Sequence, residues 1–241
     1  MIYSIKLTLL DRDDYKEMVD AVSTASGSKP RRKYDNSRRR ADAEARQRSI
    51  IEAATALFVE QGFGATTIDQ IAAAADVSPQ TIYATYGSKA TVLFRAIEVA
   101  VAGDYDETPL MQRAPVLAEF SGHHSQFAAA AKFVREMHDR VAPLMRVMEG
   151  AASIDSTLEE SRTTLLQQIR AGCAVWIAQL DPKALRPGLS KDQAIDVMFT
   201  VQAPHLYSIY TVELGWTPDQ YEKWLAHALP HLLLRQELLI D

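Results

Sequence analysis

TTIDQIAAAADVSPQTIYATYGSKAT, residues 66–91, reads as a helix, a tight turn and a second helix. Thr67-Ile68-Asp69-Gln70 has the spacing of a capping box, in which the Thr hydroxyl takes an orphan N–H and Gln70 reaches back to the cap. The alanine-rich run after it favours helix, and Ile68, Ile71 and Ala75 fall on one face. Asp76-Val77 breaks the pattern. Ser78 then caps a second helix, with Pro79 at its first position, where a missing N–H costs nothing. Gly87 stops this helix after about two turns, too short to be stable alone. Its outer side gathers hydrogen-bonding groups: Gln80, Thr81, Tyr83, Thr85 and Tyr86. Ser88 opens the next helix at once, with Lys89 in its first turn.

A short, polar-faced helix held up by its neighbours suits the DNA major groove, which has room for a helix. Two capped helices joined by a turn also make ordinary packing corners, so the surroundings have to decide. Residues 44–61 form a preceding helix with Ile50, Ala54, Leu57 and Phe58 on one face, ended by Gly62. Phe63 is placed to close a small three-helix core with Ile68, Ile71, Val77 and Ile82. A basic arm lies just upstream.

With these residues in place the chain resembles the TetR family of bacterial transcriptional regulators. The resemblance is carried by Glu60-Gln61-Gly62-Phe63, Thr66-Thr67-Ile68, Ile71-Ala72, Val77-Ser78, Thr81-Ile82-Tyr83, Tyr86, Ser88-Lys89 and Leu93, across residues 44–95. Many members carry Phe at the position of Tyr86 and a bulkier residue at Ala84. The resemblance implies an all-α protein in three parts: a flexible extension with the basic arm over 1–40, a helix-turn-helix DNA-binding domain over 41–90, and a larger helical effector-binding and dimerisation domain over 91–241. It implies a homodimer on a palindromic operator in double-stranded DNA, acting as a repressor that a small apolar or aromatic molecule releases. A TetR-shaped protein that answers to a protein partner, or to nothing, is the alternative.

The net charge of −5 conceals a division. Residues 29–95 carry 11 Lys/Arg and 7 Asp/Glu, whereas residues 96–241 carry 12 and 19. A phosphate-seeking end thus sits on an acidic body. The positive charge concentrates in Lys29-Pro30-Arg31-Arg32-Lys33 and Arg38-Arg39-Arg40, placed to follow phosphates or enter a minor groove, or else to act as a solubilising tail. The single Cys173 excludes an internal disulfide, and no apolar run approaches a membrane span. A cytoplasmic protein without cofactor or metal is expected. Residues 1–10 alternate like a strand, 11–22 suit a short acidic helix, and Met18 is a candidate natural start.

Beyond residue 88 the pattern is helical: 88–102, a connection over 104–115, then 123–139 and 141–152 with a bend near Pro143. A helix over 156–180 follows, capped by Thr157, then 191–213 opened by the Ser190–Gln193 capping box, and 218–238 opened by Thr217–Gln220. Residues 191–238 are expected to pair with a second copy through Val197, Phe199, Val201, Leu206, Ile209, Leu225, Leu229 and Leu232. Phe133, Met137, Met145, Met148, Trp176 and Phe199 are candidates for an adaptable ligand cavity, although ordinary core explains each of them too. His138, Glu149, Arg170 and His205 are its candidate polar anchors. On the DNA side, Gln80 and Thr81 are expected at base edges, and Thr67, Tyr83, Tyr86 and Lys89 at phosphates, with Ser78 and Thr85 beside them. Helix 88–102 is the expected lever between the two ends. An enzymatic role is not expected: Glu136 and His138 are two apart, off the Glu-x-x-His spacing of a di-iron bundle, and no nucleophile elbow, P-loop or zinc-ligand cluster is present.

Overall fold

In the computed structural model, residues 37–103, 114–116, 119–153 and 155–239 are described. The expectations for residues 1–36, including the Lys29–Lys33 arm and the Met18 start, lie outside them, as does most of the 104–115 connection. Among the described residues the fold is all-α, with one isolated antiparallel bridge between Leu185 and Leu234.

Helix α1 spans Ser37–Ala65, beginning seven residues before the expected start at 44. Arg38–Arg40 therefore stand in its first turns rather than in an extended arm. Gly62 interrupts the helix with φ 81° and ψ 171°, the left-handed region that glycine enters without a Cβ penalty. Buried Thr66 locks that corner, its hydroxyl donating to the Gly62 carbonyl at 2.8 Å. Helix α2 (Ile68–Ala74) starts with the expected capping box: the Gln70 N–H donates to Thr67 Oγ1 at 3.1 Å, and the Thr67 N–H to Gln70 Oε1 at 2.8 Å. Asp76 takes φ 53° in the turn. Asp tolerates this conformation better than most residues. Helix α3 (Pro79–Tyr86) follows from its Ser78 cap and ends at Gly87, φ 77°. Helix α4 (Lys89–Ala102) is capped by Ser88.

Helix α5 (His123–Ala152) runs unbroken through Pro143, where two helices were expected. The proline loses one backbone bond, but Val141, Ala142, Leu144 and Met145 on either side are all buried, and that packing carries the helix across the defect. Helix α6 (Ser156–Ala178) is capped by Asp155, not Thr157: its carboxylate accepts from the Thr157 and Leu158 N–H groups at 2.9 and 3.2 Å. The expected single helix over 191–213 is three pieces: α7 (Lys191–Val201), α8 (Pro204–Ser208) and a π-turn over Ile209–Glu213. Pro204 has no N–H to continue the ladder, so the chain breaks at Gln202–Ala203 and restarts with proline at the first position. Helix α9 (Pro218–Leu233) opens with the expected capping box. Beyond it, the Arg186 N–H donates to the Leu233 carbonyl and the Arg235 N–H to that of Ala184, clipping the chain end to the loop after α6.

Two apolar cores share α5. Its C-terminal half (Leu144, Met145, Met148) packs with α1–α4, while its N-terminal half (Phe127, Ala131, Val134) packs with α6–α9. At about 1.5 Å per residue this helix is long enough to link both. Its 30 residues make the α1–α4 unit and the body one continuous packing problem.

Candidate nucleic-acid interface and interior cavity

Helix α3 turns Ile82 inward, 1% exposed, into the core made by Phe58, Phe63, Ile68 and Ile71. Its opposite side is open: Gln80, Tyr83, Ala84 and Thr85 are exposed, and the Tyr83 ring remains 54% accessible. A large aromatic held out from a helix that is otherwise firmly packed is available for contact. Thr81 is half-buried and its hydroxyl pairs with that of Ser78 at 2.9 Å, so both groups are engaged in capping. Thr85 Oγ1 donates back to the Thr81 carbonyl at 2.8 Å. Tyr86 is half-buried against the same core, and burial raises its phenol pKa. The Thr67 side chain is exposed but serves its own capping box.

Lys89 departs from its expected place at a phosphate. Its Nζ donates to the carbonyls of Phe63 at 2.6 Å and Thr66 at 2.7 Å, and lies 4.2 Å from the Phe63 ring centre. Two of its three donors are spent on the α1–α2 corner, and burial lowers its pKa. The side chain pins the corner to the start of α4. Arg39 and Arg40 are exposed, and Arg40 pairs with Glu44 at 2.8 Å; the Arg38 side chain lies outside the described residues.

The six cavity candidates separate into three groups. Phe133, Met137 and Trp176 line a cavity of about 80 Å³ together with Val101, Leu165, Gln168, Ile169, Cys173, Gln202 and Pro204. Met145 and Met148, 1% and 0% exposed, instead belong to the core shared with α1–α4. Phe199 packs at the edge of the second core, away from the cavity. Helical spacing places a residue on a face; it does not say which neighbour covers that face, which is why Met145 and Met148 belong elsewhere.

The expected polar anchors are also elsewhere. His138 is 1% exposed between the rings of Tyr207 and Tyr221, its Nδ1 without a partner, and burial lowers its pKa to about 3. Beside it the Tyr207 hydroxyl bonds to Asp139, and Arg135 bridges Asp139 and Glu222 at 3.1 and 2.9 Å. Arg170 pairs with Asp196 at the surface, and His205 lies 3.4 Å from Glu149.

Gln168 and Arg140 were not singled out from the sequence. Gln168 is the polar interruption in an otherwise apolar stripe of α6, a signal that was readable. Arg140 donates to the Ala100 carbonyl at 3.0 Å, holding the last turn of α4 against α5. A cation suits the negative end of a helix. The fit is close: a Cβ on Gly103, φ 61°, would stand 3.1 Å from Arg140 Nε. Of the residues expected at a subunit interface, Leu225 and Leu229 are 0% exposed within the protomer. They are core, which excludes them from contact with a second copy. Val197, Phe199, Val201, Leu206 and Ile209 are partly exposed, and Leu232 is exposed.

Comparison with known proteins agrees with this architecture. Residues 50–97 match the sequence model of the family described as bacterial regulatory proteins, tetR family. The chain is 29% identical over 158 residues to the uncharacterised HTH-type transcriptional regulator YdeS of Bacillus subtilis (strain 168), covering 65% of this chain and 75% of that one. It is 49% identical over 55 residues to the HTH-type transcriptional regulator HbdR of Aromatoleum sp. (strain CIB), a match that spans 23% of this chain and 24% of that protein. Among solved structures, the fold is similar to that of NalD, the secondary repressor of the MexAB-OprM multidrug efflux pump in Pseudomonas aeruginosa. The TM-score is 0.62 at 18% identity, over 81% of this chain and 98% of that one. No helix among the described residues is long and apolar enough to cross a membrane. Residues 50–97 therefore carry a helix-turn-helix unit of the tetR family of bacterial regulatory proteins, set on a helical body whose fold is similar to that of NalD.

Proposed function

We propose that this regulator is a homodimeric repressor whose α3 enters the major groove of an inverted-repeat operator, and which a small molecule in the interior cavity releases. The observation that carries the DNA reading is the open side of α3, where Gln80, Tyr83 and Thr85 stand exposed on a helix fixed from behind by Ile82. Gln80 is the base reader, since its amide can pair bidentately with adenine, and Thr81 flanks it from a half-buried position. Tyr83 and Tyr86 approach the backbone, with Thr67 and Ser78 at the N-termini of α2 and α3, where helix dipoles favour phosphate. Arg38, Arg39 and Arg40 also fit this picture. Three cations at a helix start oppose the macrodipole, and a nearby phosphate backbone relieves that conflict.

The dimer follows from the operator symmetry, with the partly exposed residues Val197, Phe199 and Leu206 and the exposed Leu232 as its apolar contacts. Repression is the reading favoured by the fold shared with NalD, itself a repressor. The route from cavity to DNA is short. Val101 in the last turn of α4 lines the cavity, and the first residue of that helix, Lys89, pins the α1–α2 corner. A ligand that displaces Val101 moves α4, and with it the spacing of the two recognition helices. DNA and ligand then select different spacings.

Selection from random duplex DNA tests the reading. The full chain is expected to enrich inverted repeats whose half-site centres lie about 34 Å, one helical turn, apart or a multiple of it. Enrichment of single, unrepeated sites, or of none, contradicts it.

A further inference from the structure

We propose that the cavity selects a neutral, hydroxyl-bearing aromatic molecule, and that Gln168 is the residue that reads the hydroxyl. This rests on the effector reading above. Helix α6 turns Leu165, Ile169, Cys173 and Trp176 toward the cavity as an apolar stripe, and Gln168 interrupts it. Gln168 Oε1 is buried and has no hydrogen-bond partner. A buried amide oxygen left without a donor is destabilising, and proteins keep such groups where something else completes them. A hydroxyl is both donor and acceptor, so it pairs with either end of the amide.

The lining also sets the charge. It contains no acid or base, and its one titratable group, the Cys173 thiol, is pushed up to about 11 by burial and stays neutral. Gln202 Nε2 donates one of its two hydrogens to Cys173 Sγ at 2.6 Å, and its amide carries no charge. A carboxylate or an ammonium in this space has no counter-charge, and burying an unpaired ion is heavily penalised. Phe133 and Trp176, ring centres 6.5 Å apart, offer faces to an aromatic ring. At about 80 Å³ the space is narrow, so the ligand is small and enters as the flexible Met137 side chain gives way.

The test measures the affinities of phenol, toluene and benzoate for the full chain by ligand-dependent thermal shift, which reports binding through mass action. The wild type is expected to bind phenol about tenfold or more tightly than toluene, and benzoate not measurably. In Gln168→Leu, or the nearly isosteric Gln168→Met where Leu fails to fold, phenol is expected to fall to the level of toluene while toluene binding persists. A variant that keeps the phenol preference overturns the role of Gln168 and leaves the cavity reading standing. Benzoate binding as tightly as phenol overturns the charge selection. Failure of both phenol and toluene on the wild type overturns the cavity reading, and this inference with it.

Discussion

Lys89→Met is expected to destabilise the protein by about 2–4 kcal/mol while leaving the salt dependence of DNA binding unchanged. The wild-type ammonium donates to two backbone carbonyls, those of Phe63 and Thr66, at 2.6 and 2.7 Å. Methionine keeps the apolar stem over the Phe63 ring and removes the charge alone. Both carbonyls lose a charged donor in a half-buried place, where water replaces it only in part. At about 2–4 °C per kcal/mol for a chain of this size, the melting temperature drops by roughly 4–16 °C. A phosphate-contacting lysine behaves in the opposite way: its loss lowers the slope of log affinity against log salt by about one and leaves the melting temperature alone. Thermal melts beside an anisotropy salt titration separate the two. A changed slope without a melting shift contradicts the pin.

His138→Phe is expected to remove part of the protein's acid sensitivity. Burial between Tyr207 and Tyr221 holds the folded pKa at about 3, below the ordinary 6.5. The unfolded chain therefore binds a proton below pH 6.5 that the folded chain refuses. Stability is full above pH 6.5 and falls as the pH drops from 6.5 toward 3, at about 1.4 kcal/mol per unit. Between pH 7.5 and 4.5 this amounts to roughly 2.5 kcal/mol. Neighbouring Asp139 pulls the imidazole pKa the other way, but burial outweighs it. Phenylalanine fills the same space between the two tyrosine rings and has nothing to protonate. Urea unfolding at pH 7.5 and 4.5 is expected to show the variant losing that much less than the wild type. Equal losses contradict a neutral, buried His138.

Three of the helix starts were legible because capping is local. Thr67 with Gln70, Ser190 with Gln193, and Thr217 with Gln220 complete their bonds within three residues, and spacing alone exposes them. Pro204 was also legible; the apolar pattern continuing across 191–213 hid the break that its missing N–H enforces. What sequence spacing does not carry is the identity of the covering neighbour. Lys89 finds its partners 23 and 26 residues upstream. Leu225 and Leu229 lie on the stripe that a second copy could have covered, yet they face α5 and α7 inside the same protomer. Met145 and Met148 share a helix with cavity-lining Met137 and lie two to three turns away, inside the core that Met137 only borders. In each case the periodic pattern gave the face, and the arrangement of α5 between two cores decided its use.

The central claim, that the open side of α3 reads bases through Gln80, is tested most directly by Gln80→Ala. The substitution removes an exposed side chain and leaves the Ile82 anchor untouched. Binding is measured by anisotropy on the selected operator and on random duplex DNA at the same salt. A loss of about 1–3 kcal/mol on the operator is predicted, with random-DNA affinity unchanged and preference relaxed at one symmetric pair of positions. Equal loss on both DNAs contradicts the account.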